Sequence, residues 1–454
     1  RWFVLMAYCL VNLSNGWTCV VWSPLTVPLS EYWQVPVSAV DNLSGVFLYV
    51  FVPMNVVTMW LVMNKLGLAR GLQVGALLNT LGLAVLCQQP VEHLENDDAG
   101  FALFDARVWT DYQIKYLGMF LCALAQAFIL PMITQLSSNW LGEEERATST
   151  SFGALSYQLG SLFGLASTVV VDFQDNTAGA ALDPRKLQDY LWWQWVVSFV
   201  AFGAVCLTRD RPPTPPSLAA ATHLQQDKDV SVKYLDSIRM VVASPSSRAF
   251  FFLFGVAVGV FYAVPAFLSQ FMPSWPARHQ GVLGGIFQIA AVLGCFAGGQ
   301  FVEWYELQYK KISLLLLVGS FLAAVLYYVS VQYQSYLAML ACAGMGFFYA
   351  SFMSVGIEFG TALTFPADEA AVYGILDSTG ELFGFLMITL GGSMSHAGMD
   401  AAFCGTLALL VAVALVILWK LQPLVRRPSH FSASSNRSVV FDDTRGTPVS
   451  YFVA

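Results

Sequence analysis

Charge is what this chain has least of. Of its 454 residues only 11% are Asp, Glu, Lys or Arg, while 57% are apolar. A soluble domain carries about 25% charged residues. An aqueous surface for a chain of this size cannot be assembled from so few charges, so a purely soluble protein is excluded. With a mean hydropathy of +0.61, so is a disordered one. Lys and Arg are scarcer than the acids, 22 against 29, for a net charge of −7. That leaves no basic footprint for nucleic acid. The eight cysteines, Cys9, Cys19, Cys87, Cys122, Cys206, Cys295, Cys342 and Cys404, all fall in or beside apolar stretches, with no CxxC pair. They read as small core residues, neither a disulfide framework nor a zinc site. No GxxxxGK(S/T), HExxH or GxSxG occurs, and no Ser/His/Asp set falls at one depth. The expectation is neither an ATP-driven machine nor an enzyme, and no cofactor.

Long apolar runs are what is abundant. A bilayer core needs roughly 20 mostly apolar residues per crossing helix. Twelve stretches qualify, centred near residues 14, 53, 79, 125, 159, 198, 260, 291, 321, 348, 381 and 410. The first is no cleaved signal: it lacks a basic leader and carries Asn12, Asn15 and Trp17. With Arg1 in the cytoplasm and alternation thereafter, 17 of the 22 Lys and Arg lie inside, and only Arg107, Lys115, Arg185, Lys186 and Arg278 lie outside. This positive-inside bias puts both termini in the cytoplasm.

A polar segment, 209–247, opens Arg211-Pro212-Pro213-Thr214-Pro215-Pro216 and separates six spans from six. The organisation expected is a six-helix half over 1–208, the cytoplasmic segment 209–247, a second six-helix half over 248–419 and a disordered cytoplasmic tail over 420–454. Each half repeats a short charged loop after its second span, Asn64 to Arg70 and Glu303 to Lys311. The fold class is an all-α membrane protein of twelve transmembrane helices in two six-helix halves, the layout of the major facilitator type. The first loop resembles that superfamily's signature of acid, base, x, Gly, basic, with Asn64 where an Asp is usual. The resemblance implies that Lys65 and Arg70, with Glu303 in the paired loop, gate one face. A topology loop without gating fits the same residues.

More specific stretches follow in order. They are Arg1-Trp2-Phe3-Val4-Leu5, Leu13-Ser14-Asn15, Asp41-Asn42-Leu43-Ser44, Gly75-Ala76-Leu77-Leu78-Asn79, Ala123 to Leu130, Tyr157-Gln158-Leu159-Gly160, and Gly356-Ile357-Glu358-Phe359 with Leu363 to Glu369. Their order and spacing, from Arg1 to about Leu418, resemble the feline leukaemia virus subgroup C receptor-related transporters. The resemblance implies transport of choline and related amines, with haem as a second proposed cargo. It also implies pocket roles for Gln158 and Tyr262. Three positions depart from it. Cys19 stands where choline-binding members carry a Trp, Glu381 where they carry a Gln, and Ala362 where a second Glu is found. The first two fall in the expected pocket and leave open a substrate other than choline.

Buried charge makes its own argument. Glu358, Asp377 and Glu381 fall within spans, and no Lys or Arg does. An ionised group at the bilayer centre costs at least roughly 2.5–3.5 kcal/mol. Such acids must be protonated, hydrogen-bonded, wetted or neutralised by an arriving cation. Asp377 and Glu381 are spaced i, i+4 and share a helix face, with Glu381 near the midplane, where transporters hold substrate. Glu381 thus fits three roles: counter-charge for a cation, carrier of a coupling proton with Asp377, or interhelical contact. Glu358 reads as a structural or gating contact. Trp17, Trp22 and Tyr262 offer ring faces for an ammonium group. Asn15, Gln126 and Gln158 offer amides that need partners in a dry setting.

The leading expectation is a secondary active or facilitative transporter of a small organic cation, choline- or ethanolamine-like, working by alternating access in the plasma membrane. Three alternatives stay open: a haem or porphyrin transporter, a proton-coupled transporter of another metabolite, and a non-transporting receptor on the same fold. Haem is disfavoured because the bundle buries acids rather than bases and holds its five histidines outside the spans.

Overall fold

The computed structural model describes residues 1–88, 110–141, 146–167, 183–210, 212, 238–272, 275, 277–304, 308–364, 367 and 369–421. The acidic loop before Asp111, most of the central segment and the tail beyond 421 lie outside the described residues. Among the described residues every regular element is helical. They are α1 (Trp2–Val20), α2 (Thr26–Trp33), α3 (Val37–Leu61), α4 (Leu68–Leu86), α5 (Asp111–Ile129), α6 (Met132–Trp140), α7 (Arg146–Leu165) and α8 (Pro184–Cys206). After the central segment come α9 (Pro245–Ala266), α10 (Leu268–Phe271), α11 (Ala277–Trp304), α12 (Tyr309–Gln332), α13 (Leu337–Thr364), α14 (Glu369–His396) and α15 (Asp400–Lys420).

Among the described residues nine helical segments are long and apolar enough to cross a membrane, α1 and α2 counting as one. Helices α7, α8 and α14 fall outside that set although they run 20, 23 and 28 residues. Each spends apolar character on buried polar side chains, Gln158, Gln194 and Glu381 respectively. With these three, all twelve expected segments are helices of spanning length. Proline explains the interruptions, because it cannot donate to the helix ladder. Pro24 sits in the turn joining α1 to α2, Pro131 separates α5 from α6, and Pro53 and Pro265 lie inside α3 and α9.

The helices pack in two sets. In the first, α1 lies on α7, and α5 on both α3 and α4. In the second, α13 lies on α11 and α12, and α9 on α14. Buried apolar clusters respect the same division, one drawn from Val241–Leu421 and the others from residues before Leu207. Two seams join the sets, α7 against α11 and α3 against α14. Close approach depends on glycine, since lipid supplies no hydrophobic drive for helix association and packing must. A Cβ on Gly160 of α7 would stand 2.0 Å from the Leu13 carbonyl oxygen of α1.

One base that charge counting leaves in a loop is buried within a helix. Lys115, expected outside the membrane, is in the second turn of α5 and only 2% exposed. Its Nζ donates to the Leu86 and Gln88 carbonyls at 2.8 and 2.6 Å and pairs with Asp111 at 3.2 Å. The last carbonyls of α4 have no helical donor, and a buried cation satisfies them. The expectation that no base enters a span is therefore corrected: the end of α4 and an i−4 carboxylate make this one tolerable.

The two basic residues of the first charged loop are on the surface. Lys65 is exposed and its ammonium lies 5.3 Å from the Trp60 ring centroid; Arg70 is exposed. Glu303 falls in the last turn of α11, and its side chain is outside the described residues. Gly67, at φ 77°, lets the chain turn into α4, where Asp210 Oδ1 accepts from the Ala69 N–H at 2.7 Å.

Gly160→Ala should lower the thermal unfolding midpoint in detergent, at a cost of about 1–3 kcal/mol for forced overpacking. Gly203→Ala, with nothing within 4 Å of the added carbon, should not lower it. In the same assay Lys115→Met should cost about 1–3 kcal/mol, because two buried carbonyls lose their donor.

Candidate substrate site

Helix α14 carries the two buried acids. Glu381 stands twelve residues past Glu369, about 18 Å along a helix about 42 Å long. It is 1% exposed and Asp377 is 8% exposed. Asp377 and Glu381 lie one turn apart on one face, and Tyr373 continues the same stripe one turn earlier. The helix is held in this phase by glycines facing α9. A Cβ on Gly384 would meet the Tyr262 ring at 3.1 Å, and one on Gly259 would meet the Phe383 backbone at 2.8 Å. This close crossing brings Tyr262 over the Glu381 turn.

Gln126 of α5 reaches across from the other helix set, and its Nε2 donates to Glu381 Oε1 at 3.2 Å. The Tyr262 hydroxyl faces the same carboxyl. Cys19 of α1 lies beside Tyr157 of α7, and both face Glu381. Tyr8 of α1 and Tyr373 face Asp377. The result is a group of two carboxyls, one amide, one thiol and four phenols, contributed by α1, α5, α7, α9 and α14. No basic side chain is among the hydrogen-bond partners of either acid among the described residues. Glu381 Oε2, Asp377 Oδ2 and Gln126 Oε1 are buried and have no hydrogen-bond partner at all.

Of the residues singled out in the sequence, Glu381, Asp377, Gln126, Tyr262 and Cys19 therefore come together. The others bond elsewhere. Asn15 donates to Asn79 Oδ1 at 2.9 Å and to the Cys122 carbonyl at 3.0 Å, tying α1 to α4 and α5. Trp17 donates to the Tyr190 hydroxyl at 2.6 Å and packs on Phe163. The Trp22 ring is fully buried, 5.8 Å from Trp33. Gln158 bonds Gln288 across the α7–α11 seam. Glu358 differs from the expectation of a buried acid: it is exposed, because Val355, Phe359 and Ala362 take the inward face of α13.

Tyr8, Tyr157 and Tyr373 were not singled out from the sequence. Their spacing to the acids, four residues for Tyr373, is the one local signal; the contacts of Tyr8 and Tyr157 are between helices. The seam near the acids has further bonds. Asn55 of α3 donates to the Gly374 carbonyl and to Ser378 Oγ of α14, both at 2.9 Å. Tyr49 of α3, bonded to the Tyr116 hydroxyl, packs on Phe385 at 5.5 Å. Beyond this group, Gln270 donates to Asp41 at 2.9 Å. Of the histidines, His279 is exposed beside Trp275. His93, His223, His430 and the side chain of His396 lie outside the described residues. No cluster of three His, Cys, Asp or Glu suited to a metal occurs among the described residues.

Known proteins share this architecture. The chain is 25% identical over 401 residues to the choline/ethanolamine transporter FLVCR1 of Felis catus, covering 87% of this chain and 68% of that one. It is 26% identical over 404 residues to the choline/ethanolamine transporter flvcr2a of Danio rerio, covering 88% and 81%. Its fold matches that of the xylose transporter XylE from E. coli in a partially occluded inward-open conformation, with a TM-score of 0.66 at 11% identity, covering 93% of this chain and 99% of that one. The sequence profile described as Major Facilitator Superfamily matches residues 4–364. With twelve helices of spanning length, a polar group buried between two helix sets and this match, the chain belongs to the Major Facilitator Superfamily of membrane transporters.

Proposed function

We propose that this transporter carries a small organic cation of the choline or ethanolamine kind, and that Glu381 is the counter-charge. The observation that carries the reading is the Gln126–Glu381 bond at mid-depth. It sets a buried acid, without a basic partner, on the line where the helix sets meet. A cation arriving there relieves the part of the desolvation cost that the Gln126 and Tyr262 contacts leave. The Tyr157 and Tyr262 rings add faces that attract an ammonium, each worth about 0.5–2 kcal/mol. The relatives named as choline/ethanolamine transporters support the same substrate class.

Transport follows if residues 1–208 and 248–419 act as two halves that rock about this point. Polar bonds at Asn55, Gln126, Gln158 and Gln270 cross between them and are few enough to exchange during such a motion. The excess of Lys and Arg on one side supports a cytoplasmic placement of both termini. In a plasma membrane, a fixed positive charge would then be drawn inward by about 2.3 kcal/mol per 100 mV.

Uptake of labelled ethanolamine and choline into liposomes holding the purified protein tests the reading. Saturable uptake should rise with an inside-negative potential, and Glu381→Gln, the residue that choline-binding kin carry there, should cut the initial rate for ethanolamine at least tenfold. The Gln126 bond can still form to the new amide, so loss of uptake would report charge rather than folding. Uptake of neither amine above empty liposomes would overturn the proposal. Asn55→Leu should shift spin-label distances across the α3–α14 seam toward a longer population; an unchanged distribution would show that this seam does not depend on the Asn55 bonds.

A further inference from the structure

Counting hydrogen-bond donors takes the site beyond a preference for positive charge. Three of its buried acceptor atoms have no donor: Glu381 Oε2, Asp377 Oδ2 and Gln126 Oε1. They belong to adjoining side chains. Gln126 Oε1 belongs to the amide whose nitrogen already touches Glu381, and Asp377 lies one helical turn away. A buried acceptor without a partner keeps its full desolvation cost, and buried polar atoms in folded proteins are overwhelmingly paired. Gln126 Nε2 gives one of its two N–H donors to Glu381 Oε1.

We infer that the site selects a primary ammonium over a quaternary one, a specificity that rests on the organic-cation reading above. A primary ammonium brings three N–H donors, one for each orphan acceptor, and its bonds to carboxylates are charge-assisted and short. A quaternary ammonium brings the same charge and no donor. It would bury all three acceptors against methyl groups and leave them unpaired. Trp17 is bonded to Tyr190 and Trp22, just beyond α1, packs beside Trp33, so the ring faces near the acids are those of tyrosines, which attract a primary and a quaternary ammonium alike. On the face of α1 toward Glu381 the side chain is the small thiol of Cys19. Cys19, Gln126, Asp377 and Glu381 are thus the specificity-determining positions.

The test is a methylation series. Ethanolamine, N-methylethanolamine, N,N-dimethylethanolamine and choline carry the same unit charge at pH 7 and differ stepwise in N–H donors. Each competes with labelled ethanolamine for uptake into liposomes, and each is tested for direct thermal stabilisation of the detergent-solubilised protein. The half-inhibiting concentration should rise with each methyl group, at least tenfold from the first member to the last. Asp377→Asn, which replaces one orphan acceptor with an amide, should narrow that spread to less than threefold. A flat or reversed order in the unaltered protein overturns the donor-count selection and leaves the cation reading standing. If none of the four is transported or stabilises the protein, the cation reading fails and this inference fails with it.

Discussion

Glu381 lies at mid-depth on α14, 1% exposed, taking one hydrogen bond from a helix of the opposite set. A carboxyl in that position is expensive in hydrocarbon, and Asp377 one turn away doubles the difficulty. Much of the surrounding architecture follows from accommodating this pair. Glycines on α9 and α14 allow those helices to touch, so that Tyr262 faces the carboxyl instead of lipid. The break at Pro131 ends α5 shortly after Gln126, and Tyr8, Tyr157 and Tyr373 complete a polar lining within an otherwise apolar bundle. Helix α14 is thereby more polar than most of its neighbours on its inner face, while Leu382, Leu386 and Leu390 are exposed on the other.

The buried base and the two buried acids among the described residues solve opposite problems. Lys115 is fully served: two carbonyls and Asp111 take its donors, and it closes the end of α4. Its burial is structural, because nothing remains for a ligand to supply. Glu381, Asp377 and Gln126 each retain an unpaired atom at the same place. The contrast separates a polar residue that holds a fold together from one that waits for a partner. Asn15 stands between the two: its amide nitrogen is spent on Asn79 and Cys122, while its Oδ1 is unpaired.

The fold was largely legible in the sequence, because a bilayer imposes length and hydropathy on every crossing segment. All twelve segments are there as helices. The exceptions to the apolar rule, α7, α8 and α14, are helices whose polar residues face other helices. Site residues were legible where chemistry alone marks them. An acid within an apolar run is anomalous wherever its helix packs, so Asp377 and Glu381 stood out. Glu358 satisfied the same rule yet lies on the exposed face of α13, a matter of helical phase that hydropathy does not register. Trp17, Trp22 and Gln158 have the right chemistry but face other partners. Tyr8 and Tyr157 were hidden for the converse reason: among so many aromatics, only the crossing of α1 and α7 with α14 distinguishes a lining phenol from a packing one.

The account turns on where the positive charge of a bound amine comes to rest. A cryo-electron microscopy map of the protein in lipid nanodiscs with saturating ethanolamine measures this directly. The ammonium nitrogen should lie within about 2.7–2.9 Å of Glu381 Oε2, between α5 and α14. Density for the amine against Trp17 or Trp22, away from both acids, would contradict the central claim.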